Sequence, residues 1–267
     1  MSVSRLVRLL AACGALLPFV RGVAAEEEII DAPAAPIHRR LKASLGYHFS
    51  TGNYGTSDTT EIAYIPLVTK AEWDRWTLEL SVPYIRVSGG STVVSGPVGP
   101  VQTSGGDEEG LGDIVARGAY TVPSRAEWMP WIDLIGRVKF PTASRSKGLG
   151  TGEFDGGIEA ELVWVLGAFV PFVSGGYRFL GSSEAVPLHD VWLASAGGMY
   201  PVLDALRAGL YLDYQEAATS TSGTRLDLVP FVSWTVDRHW SVDTYVSAGL
   251  ASGSPDVGVG LALGYTL

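Results

Sequence analysis

Hydrophobic and polar residues alternate along most of the chain from Arg39 onward, with the two-residue period of half-buried β-strands. No segment there has the period of an amphipathic helix. In the first segment the apolar face consists of Leu41, Ala43, Leu45, Tyr47 and Phe49. Clusters of Gly, Ser, Asp and Pro separate the segments, as turns do. The pattern predicts twelve strands, at residues 39–52, 58–70, 73–87, 111–122, 130–141, 156–167, 169–181, 189–201, 206–217, 224–236, 240–251 and 256–267.

Alternation alone fits both a soluble sandwich and a membrane barrel, so three further features decide between them. The charges on apolar faces, Arg86 and Asp190, lie at strand ends, where a charge costs about 0–1 kcal/mol, against about 2–4 kcal/mol for a cation at the bilayer midplane. Connections after odd strands are mostly longer than those after even strands, with 252–255 as the exception. Aromatic residues gather at the ends of the apolar faces, as in interfacial girdles: Trp76, Tyr84, Tyr120, Phe140, Trp164, Phe179, Trp192, Tyr200, Tyr214, Trp234, Trp240 and Tyr265.

The sequence therefore predicts an all-β fold, a single transmembrane antiparallel β-barrel over residues 39–267. Short turns and both termini are expected on the periplasmic side, and longer loops outside. Four prolines, Pro66, Pro83, Pro171 and Pro230, fall inside predicted strands. A closed barrel has no free edge for proline, so each must lie at a bulge or cost the ladder a hydrogen bond.

The first 25 residues have the features of a secretory signal peptide. Arg5 and Arg8 give a positive start, an apolar run follows, and Val23-Ala24-Ala25 offers small residues for cleavage. Lipoprotein processing at Cys13 is an alternative, but Arg8 breaks the apolar run before it. Residues 26–38 are predicted to form a flexible acidic leader. The chain is thus expected in the outer membrane of a Gram-negative bacterium.

Composition excludes several classes of function. Net charge is −9, so the basic footprint of a nucleic-acid-binding protein is absent. Cys13 is the only cysteine among the 267 residues, which excludes a disulfide scaffold and a cysteine-ligated zinc site. The histidines are isolated, and Asp107-Glu108-Glu109 forms no defined calcium site. We expect no metal and no cofactor.

The polar faces of the predicted strands carry charges of both signs, and these should line the barrel lumen. The two signs nearly cancel, so they are expected either to set the selectivity of a narrow channel or to neutralise one another as a polar plug. The predicted lumen-lining charges are Arg75, Glu79, Arg117, Asp133, Arg137, Lys139, Glu159, Glu161, Arg178, Arg207, Asp213, Arg225, Asp227 and Asp243.

Three stretches resemble one family of outer-membrane transporters. They are Tyr47-His48-Phe49-Ser50-Thr51-Gly52, then Gly110-Leu111-Gly112-Asp113-Ile114, then Lys139-Phe140-Pro141-Thr142 followed by residues 148–155. That family carries the label of the meta-pathway of phenol degradation. The resemblance covers most of residues 40–267 and implies a barrel that passes hydrophobic or aromatic compounds.

One glycine-rich motif needs separate comment: Gly148, Leu149, Gly150, Thr151 and Gly152. A phosphate-binding loop would continue with Lys-Ser/Thr into a helix, and this segment does neither. We therefore expect a tight external loop there.

The predicted function is passive entry of small solutes, including hydrophobic or aromatic ones, through an outer-membrane channel. The last strand, 256–267, resembles the signal that the barrel-assembly machinery recognises, although Leu267 stands where an aromatic residue is usual. One alternative is a closed structural or adhesive barrel that acts through its external loops. A remote alternative is a lipid-modifying enzyme that uses His48 and Ser50. We expect lipid as the surrounding partner and no enzymatic activity.

Overall fold

Each strand pairs antiparallel with its neighbours along the chain, and the last strand pairs back onto the first. The computed structural model describes residues 39–89, 93–95, 100–102, 105–126, 128–184, 186–220 and 222–267. The predicted signal peptide and leader lie outside them. The strands are β1 Arg39–Gly52, β2 Thr60–Trp73, β3 Trp76–Gly89, β4 Val93–Ser95, β5 Pro100–Gln102, β6 Gly106–Leu111, β7 Ile114–Val122, β8 Trp131–Phe140, β9 Asp155–Val163, β10 Val170–Phe179, β11 Val191–Leu203, β12 Leu206–Gln215, β13 Arg225–Thr235, β14 Trp240–Gly249 and β15 Val257–Thr266.

The sheet is a closed barrel, because β1 pairs with both β2 and β15. The β1–β15 ladder runs from Lys42 opposite Thr266 to Thr51 opposite Val257. Beyond it, the Leu267 amide donates to the Leu41 carbonyl at 2.8 Å. Because the barrel is closed, each of its twelve staves (the strand, or broken strand, at one position in the wall) is hydrogen-bonded to a neighbour on both sides. A lipid environment requires this, because it offers backbone N–H and C=O groups no other partner. The predicted twelve-stranded antiparallel barrel is confirmed. No helix in the described ranges is long and apolar enough to cross a membrane.

One of the twelve staves is broken into two pieces, β6 and β7. Both pair with β3, β6 opposite residues 84–89 and β7 opposite residues 76–81. Between them the Gly112 amide donates to the Pro83 carbonyl at 2.9 Å. The strand bounds predicted from the sequence left residues 88–110 as a connection, and this was wrong in part: residues 106–111 continue the β7 stave and pair with β3, and the remaining connection holds the short β4–β5 hairpin.

Connections at the two ends of the barrel differ in length, as expected. One end, here called the loop end, carries 53–59, 90–105, 141–154, 180–190, 216–224 and 250–256. The other, the turn end, carries 74–75, 123–130, 164–169, 204–205 and 236–239, together with both chain ends of the barrel. The connection 250–256 is longer than the sequence suggested. Residues 123–130 are the longest connection at the turn end.

Three of the four strand prolines, Pro66, Pro83 and Pro230, lie at gaps in a ladder, whereas the β10–β11 ladder continues through Pro171. Pro66 and Pro83 lie opposite each other between β2 and β3. Next to Pro66, the β1–β2 ladder skips from Leu45–Leu67 to His48–Tyr64. The β13–β14 ladder likewise skips across Pro230. A proline has no amide hydrogen to donate, so these gaps follow from the residue type.

The outer surface of the barrel is apolar around its whole circumference. Leucines on distant staves, such as Leu45, Leu78, Leu134, Leu210 and Leu261, are about half exposed. Aromatic side chains form a belt at each end. The turn-end belt includes the Trp76–Tyr120 and Trp240–Tyr265 pairs, and the loop-end belt includes the Tyr177–Trp192 and Phe140–Phe154 pairs. An apolar outer surface with an aromatic belt at each end is the reverse of the surface of a soluble protein, and it suits a barrel surrounded by lipid.

Candidate functional site: the barrel lumen

Inward-facing and outward-facing residues follow the predicted parity in every long strand. In β3, for example, Thr77, Ser81 and Ile85 are buried while Trp76, Leu78 and Leu80 are exposed. Because the wall is closed, an inward-facing side chain can meet water only inside the barrel. The exposed fraction of such a side chain therefore shows how far water reaches into the lumen.

Five inward charges retain contact with water. The exposed fractions of the side chains are 18% for Arg117, 12% for Glu159, 17% for Arg178, 28% for Asp213 and 22% for Arg225. Arg137 and Glu79 also have intermediate exposure. These residues belong to the set predicted to line the lumen. They mark a level of the barrel that water reaches.

Three arginines form a basic wall on neighbouring staves. Arg117 on β7 lies directly opposite Arg137 on β8. Arg137 lies opposite Gly157 on β9, and Gly157 lies opposite Arg178 on β10. The glycine leaves room, since a Cβ added there would stand 3.5 Å from the Arg178 side chain. Glu159 is the carboxylate between them, 3.7 Å from Arg117 Nη2 and 4.0 Å from Arg178 Nη2.

A second group of charges lies on β12 and β13. Arg225 Nε donates to Asp227 Oδ2 at 2.6 Å, and Arg225 Nη2 lies 3.6 Å from Asp213 Oδ2. Asp213 Oδ1 also accepts from Ser195 Oγ at 2.6 Å. Arg225 is thus held by two carboxylates, whereas Arg178 lies 4.0 Å from one. The two groups differ in net charge, and the excess of cations lies on the first.

Other predicted lumen charges are buried and do not meet water. Some of them accept hydrogen bonds from hydroxyl groups on neighbouring strands: Thr121 donates to Asp133, and Ser233 donates to Asp243. Glu161 lies opposite Asp133 across the β8–β9 ladder, and neither of its carboxylate oxygens has a hydrogen-bond partner among the described residues. The buried set consists of Asp133, Lys139, Glu161, Arg207, Asp227 and Asp243.

Arg75 has a different position from the other thirteen predicted charges. It lies in the 74–75 turn between β2 and β3, where its side chain is exposed. The Thr121 amide donates to its backbone carbonyl at 2.9 Å. Arg75 is therefore at the rim of the turn end.

The 141–154 loop folds onto the mouth of the barrel and is held there by a buried ion cluster. Lys139 Nζ lies 2.8 Å from Asp155 Oδ2, 3.2 Å from Asp113 Oδ2 and 3.2 Å from Thr151 Oγ1. Asp113 Oδ1 accepts from the Ala143 amide at 2.9 Å. Three charges and a hydroxyl thus fix the loop to β8 and β9. We call these four residues, with Ala143, the loop latch.

The glycine-rich motif Gly148, Leu149, Gly150, Thr151 and Gly152 forms the inner part of that loop. Leu149 packs in a buried cluster with Tyr54, Ile62, Ile85, Val87 and Ala143. A Cβ at Gly150 would stand 2.7 Å from Asp113 Oδ2, so only glycine permits this approach. The sequence predicted a tight external loop here; in the structure the motif lies in the 141–154 connection at the loop end, with Leu149 packed against inward-facing residues of β2 and β3.

Aromatic side chains form the wall opposite the arginines. The His48 ring lies 5.7 Å from both the Tyr64 and the Tyr245 rings, measured between centroids. His48 Nδ1 is 3.1 Å from the Tyr245 hydroxyl. These residues stand on β1, β2 and β14, across the ring of staves from β8–β10. The sequence placed Tyr245 on the polar face but did not single it out; an aromatic residue on a polar face facing glycines was the available signal.

The glycines of β15 accommodate those side chains. Gly258, Gly260 and Gly264 alternate with exposed residues along β15 and lie on its inward face. In the structure a Cβ at Gly260 would overlap the Tyr245 ring, and one at Gly264 would overlap Lys42. The space is therefore filled by side chains from neighbouring staves.

His48 and Ser50 do not form a catalytic pair. Both face the lumen, away from lipid, and each bonds a different tyrosine. Ser50 Oγ lies 2.7 Å from the Tyr54 hydroxyl, while His48 contacts Tyr245. A nucleophile and its base must be within hydrogen-bond reach of each other. The geometry does not support the lipid-modifying alternative.

An apolar cluster occupies the lumen between the basic wall and the turn end. It consists of Val163, Val170, Phe172, Met199, Tyr211, Val229 and Phe231. Buried polar residues such as Lys42, Lys70 and Thr77 flank it on the other staves. Side chains thus narrow the lumen on both sides of the level that water reaches. No group of three metal-ligating side chains occurs among the described residues.

Comparison with known proteins gives the fold but not a family. No family model and no curated protein matches the chain. The solved COG4313 outer membrane channel from Pseudomonas putida F1 is 17% identical, covers 90% of this chain and 100% of its own, and has a TM-score of 0.64. The KdgM porin in complex with disordered oligogalacturonate is 9% identical (83% and 98% coverage, TM-score 0.49), and the CymD monoaromatic hydrocarbon channel is 11% identical (85% and 87%, TM-score 0.42). The fold is that of an outer-membrane β-barrel.

Proposed function

We propose that this chain is an outer-membrane channel that admits small solutes by passive diffusion. One observation carries the proposal: charged side chains inside a closed wall keep part of their surface accessible. Because the wall is closed, the free space beside Arg117, Glu159, Arg178, Asp213 and Arg225 lies in the lumen, and we infer that water fills it. Rings of fixed charge at a constriction are how pores select ions. The similarity to a solved outer-membrane channel agrees with this function.

The proposal includes an export route and an orientation. The signal peptide 1–25 would direct the chain across the inner membrane, and strand 256–267 would engage the assembly machinery. The turn end, with both chain termini of the barrel and the short turns, would then lie in the periplasm. The longer loops, including the 141–154 loop, would face the outside. The loop latch would stand at the outer entrance.

The solute is proposed to be small because the lumen is narrowed at both ends. A twelve-stranded barrel lies between eight-stranded barrels, which side chains fill, and sixteen-stranded porins, which are open. The resemblance to the family labelled for phenol degradation adds hydrophobic and aromatic compounds as candidate solutes. The lumen charges would set which of them pass.

Single-channel recording tests the proposal. The protein would be purified from outer membranes in detergent and inserted in a planar bilayer bathed in KCl. We expect discrete current steps of reproducible size. Heat-dependent gel mobility and a β-type circular dichroism spectrum would first show that the sample is folded. A folded sample that gives no steps at any applied voltage would contradict the channel function.

A closed barrel that acts through its loops is the second candidate. Two features favour this candidate, because both place buried side chains inside the barrel: the loop latch, and the apolar cluster between the basic wall and the turn end. For such a protein, the folded sample would be silent in the bilayer. Removal of residues 144–150 would then abolish a surface activity, such as adhesion, without creating a conductance.

A further inference from the structure

We propose that the lumen contains a binding site for small carboxylates that carry a flat apolar group, formed by the basic wall on one side and the aromatic wall on the other. This inference rests on the proposed channel function and names the class of solute that the channel would select.

The basic wall has three arginines beside two carboxylates, Glu159 and Glu79, which lies directly opposite Arg117. Arg117 and Arg137 lie directly opposite each other, and Arg178 is two staves further on. Glu159 contacts Arg117 and Arg178 at 3.7 Å and 4.0 Å. Charge-assisted hydrogen bonds are about 2.7–2.9 Å long. Glu159 thus neutralises part of the charge without occupying the guanidinium fork of Arg178.

The Arg178 side chain supports the same conclusion. Its Nε is buried and has no hydrogen-bond partner among the described residues. In contrast, Arg225 Nε donates to Asp227 at 2.6 Å, so that arginine is already saturated by the protein. A planar fork that lacks a carboxylate is the group that binds one in two parallel hydrogen bonds.

The aromatic wall stands at the same level of the lumen as the basic wall. The Tyr64 hydroxyl lies within electrostatic range of the Arg137 guanidinium, and the Tyr245 hydroxyl within range of Arg225. Arg225 is in turn within range of Arg178. Because β1, β2 and β14 lie across the barrel from β8–β10, we infer that a solute bound at the basic wall directs its other end toward the His48, Tyr64 and Tyr245 rings.

The two walls together fit one chemical class. A carboxylate would bind the guanidinium fork, and a flat apolar body would pack on the tyrosine and histidine rings. Acetate has the first feature without the second. Benzyl alcohol has a ring but no charge. Benzoate has both and is the simplest probe of the site.

Calorimetric titration of the detergent-purified protein tests the site independently of conduction. We expect benzoate to bind at least ten-fold more tightly than acetate or benzyl alcohol. Arg178→Gln should weaken benzoate binding at least ten-fold, and Arg178→Lys should restore only part of it, since lysine keeps the charge but not the fork. Tyr245→Leu should weaken benzoate and leave acetate unchanged. Arg238→Gln, in the exposed 236–239 turn, is the control.

The outcomes separate the two proposals. Equal binding of benzoate and acetate, or unchanged benzoate binding by the folded Arg178→Gln and Arg178→Lys variants, would overturn the site. If current steps occur without benzoate binding, the channel function stands and the site is wrong. If benzoate binds but no steps occur, the site stands and the channel function is wrong.

Discussion

Arg117 and Arg137 lie directly opposite each other across the β7–β8 ladder, at a level of the lumen that water reaches. Like charges in this register repel, by about 0.2–1 kcal/mol at ordinary sheet positions. Glu159 on the next stave contacts Arg117 and so offsets part of that repulsion. The arrangement retains a local positive field inside an otherwise acidic protein.

Neutralising Glu159 should increase that field. We expect Glu159→Gln to shift the reversal potential in a KCl gradient toward anion selectivity. The folded state should lose about 1–3 kcal/mol of stability, because two half-buried guanidinium groups lose their shared carboxylate. Urea unfolding in detergent measures the stability. Glu61→Gln, exposed beside the 53–59 loop, should alter neither quantity. A Glu159→Gln channel with unchanged selectivity would show that the basic wall does not face the conducting path.

Breaking the loop latch should release the 141–154 loop. Lys139→Met leaves Asp113 and Asp155 buried without their cation, a change that typically costs about 3–5 kcal/mol. Arg145 and Lys147 lie on the exposed side of that loop, so trypsin should cleave there faster in the variant. Lys70→Met breaks a comparable buried pair with Glu72 in β2, toward the turn end. It should lower stability without faster loop cleavage. Equal cleavage of Lys139→Met and the parent protein would contradict the latch.

Alanine substitutions at Gly260 and Gly136 would distinguish the cost of placing a methyl group in filled space from the effect of replacing glycine itself. A Cβ at Gly260 would overlap the Tyr245 ring, whereas one at Gly136 meets nothing within 4 Å. We expect Gly260→Ala to destabilise the barrel by about 1–3 kcal/mol, as overpacking does, and to weaken benzoate binding. Gly136→Ala should be close to neutral. The comparison uses urea midpoints, and similar midpoints for both variants would mean that the Tyr245 ring moves freely aside.

The alkaline limit of stability should depend on Tyr54. Burial in the 53–59 loop raises the pKa of Tyr54 from 10.0 to about 12, so the folded protein resists ionisation of this hydroxyl. The contribution is fully present below about pH 10 and is lost as the pH rises through about 12. Tyr54→Phe removes this ionisation. The difference in urea midpoint between Tyr54→Phe and the parent should therefore change between pH 10 and 12 and stay constant from pH 7 to 9.

The faces of the strands could be predicted because a two-residue period is a local property. Residues such as Arg117, Glu159 and Arg178 were assigned to the lumen from parity alone, and the structure places them inward. The bounds of most strands also agree within a few residues. The break at Gly112 was not foreseen, because it depends on Pro83 in a neighbouring strand that lacks an amide hydrogen.

The burial and the partners of each inward charge could not be predicted from the sequence. Lys139 and Arg178 follow the same alternation, yet one is buried in an ion cluster and the other meets water. The difference depends on which side chains arrive from distant staves and from the 141–154 loop. Those contacts are set by the curvature and stagger of the whole barrel. The filling of the β15 glycines by Tyr245 and Lys42 has the same origin.

The seam between β1 and β15 joins the beginning of the barrel sequence to its end. It is the contact of greatest sequence separation in the fold, and pairings of that kind are slow to form. Until the last strand arrives, β1 and β14 are two unpaired edges that any other strand could join. The order of events is therefore imposed by topology: eleven staves can assemble by pairing with their neighbours along the chain, but the two exposed strand edges are removed only in the final step. A partner that holds β1 until β15 is delivered would act on the one interval in which this protein is vulnerable.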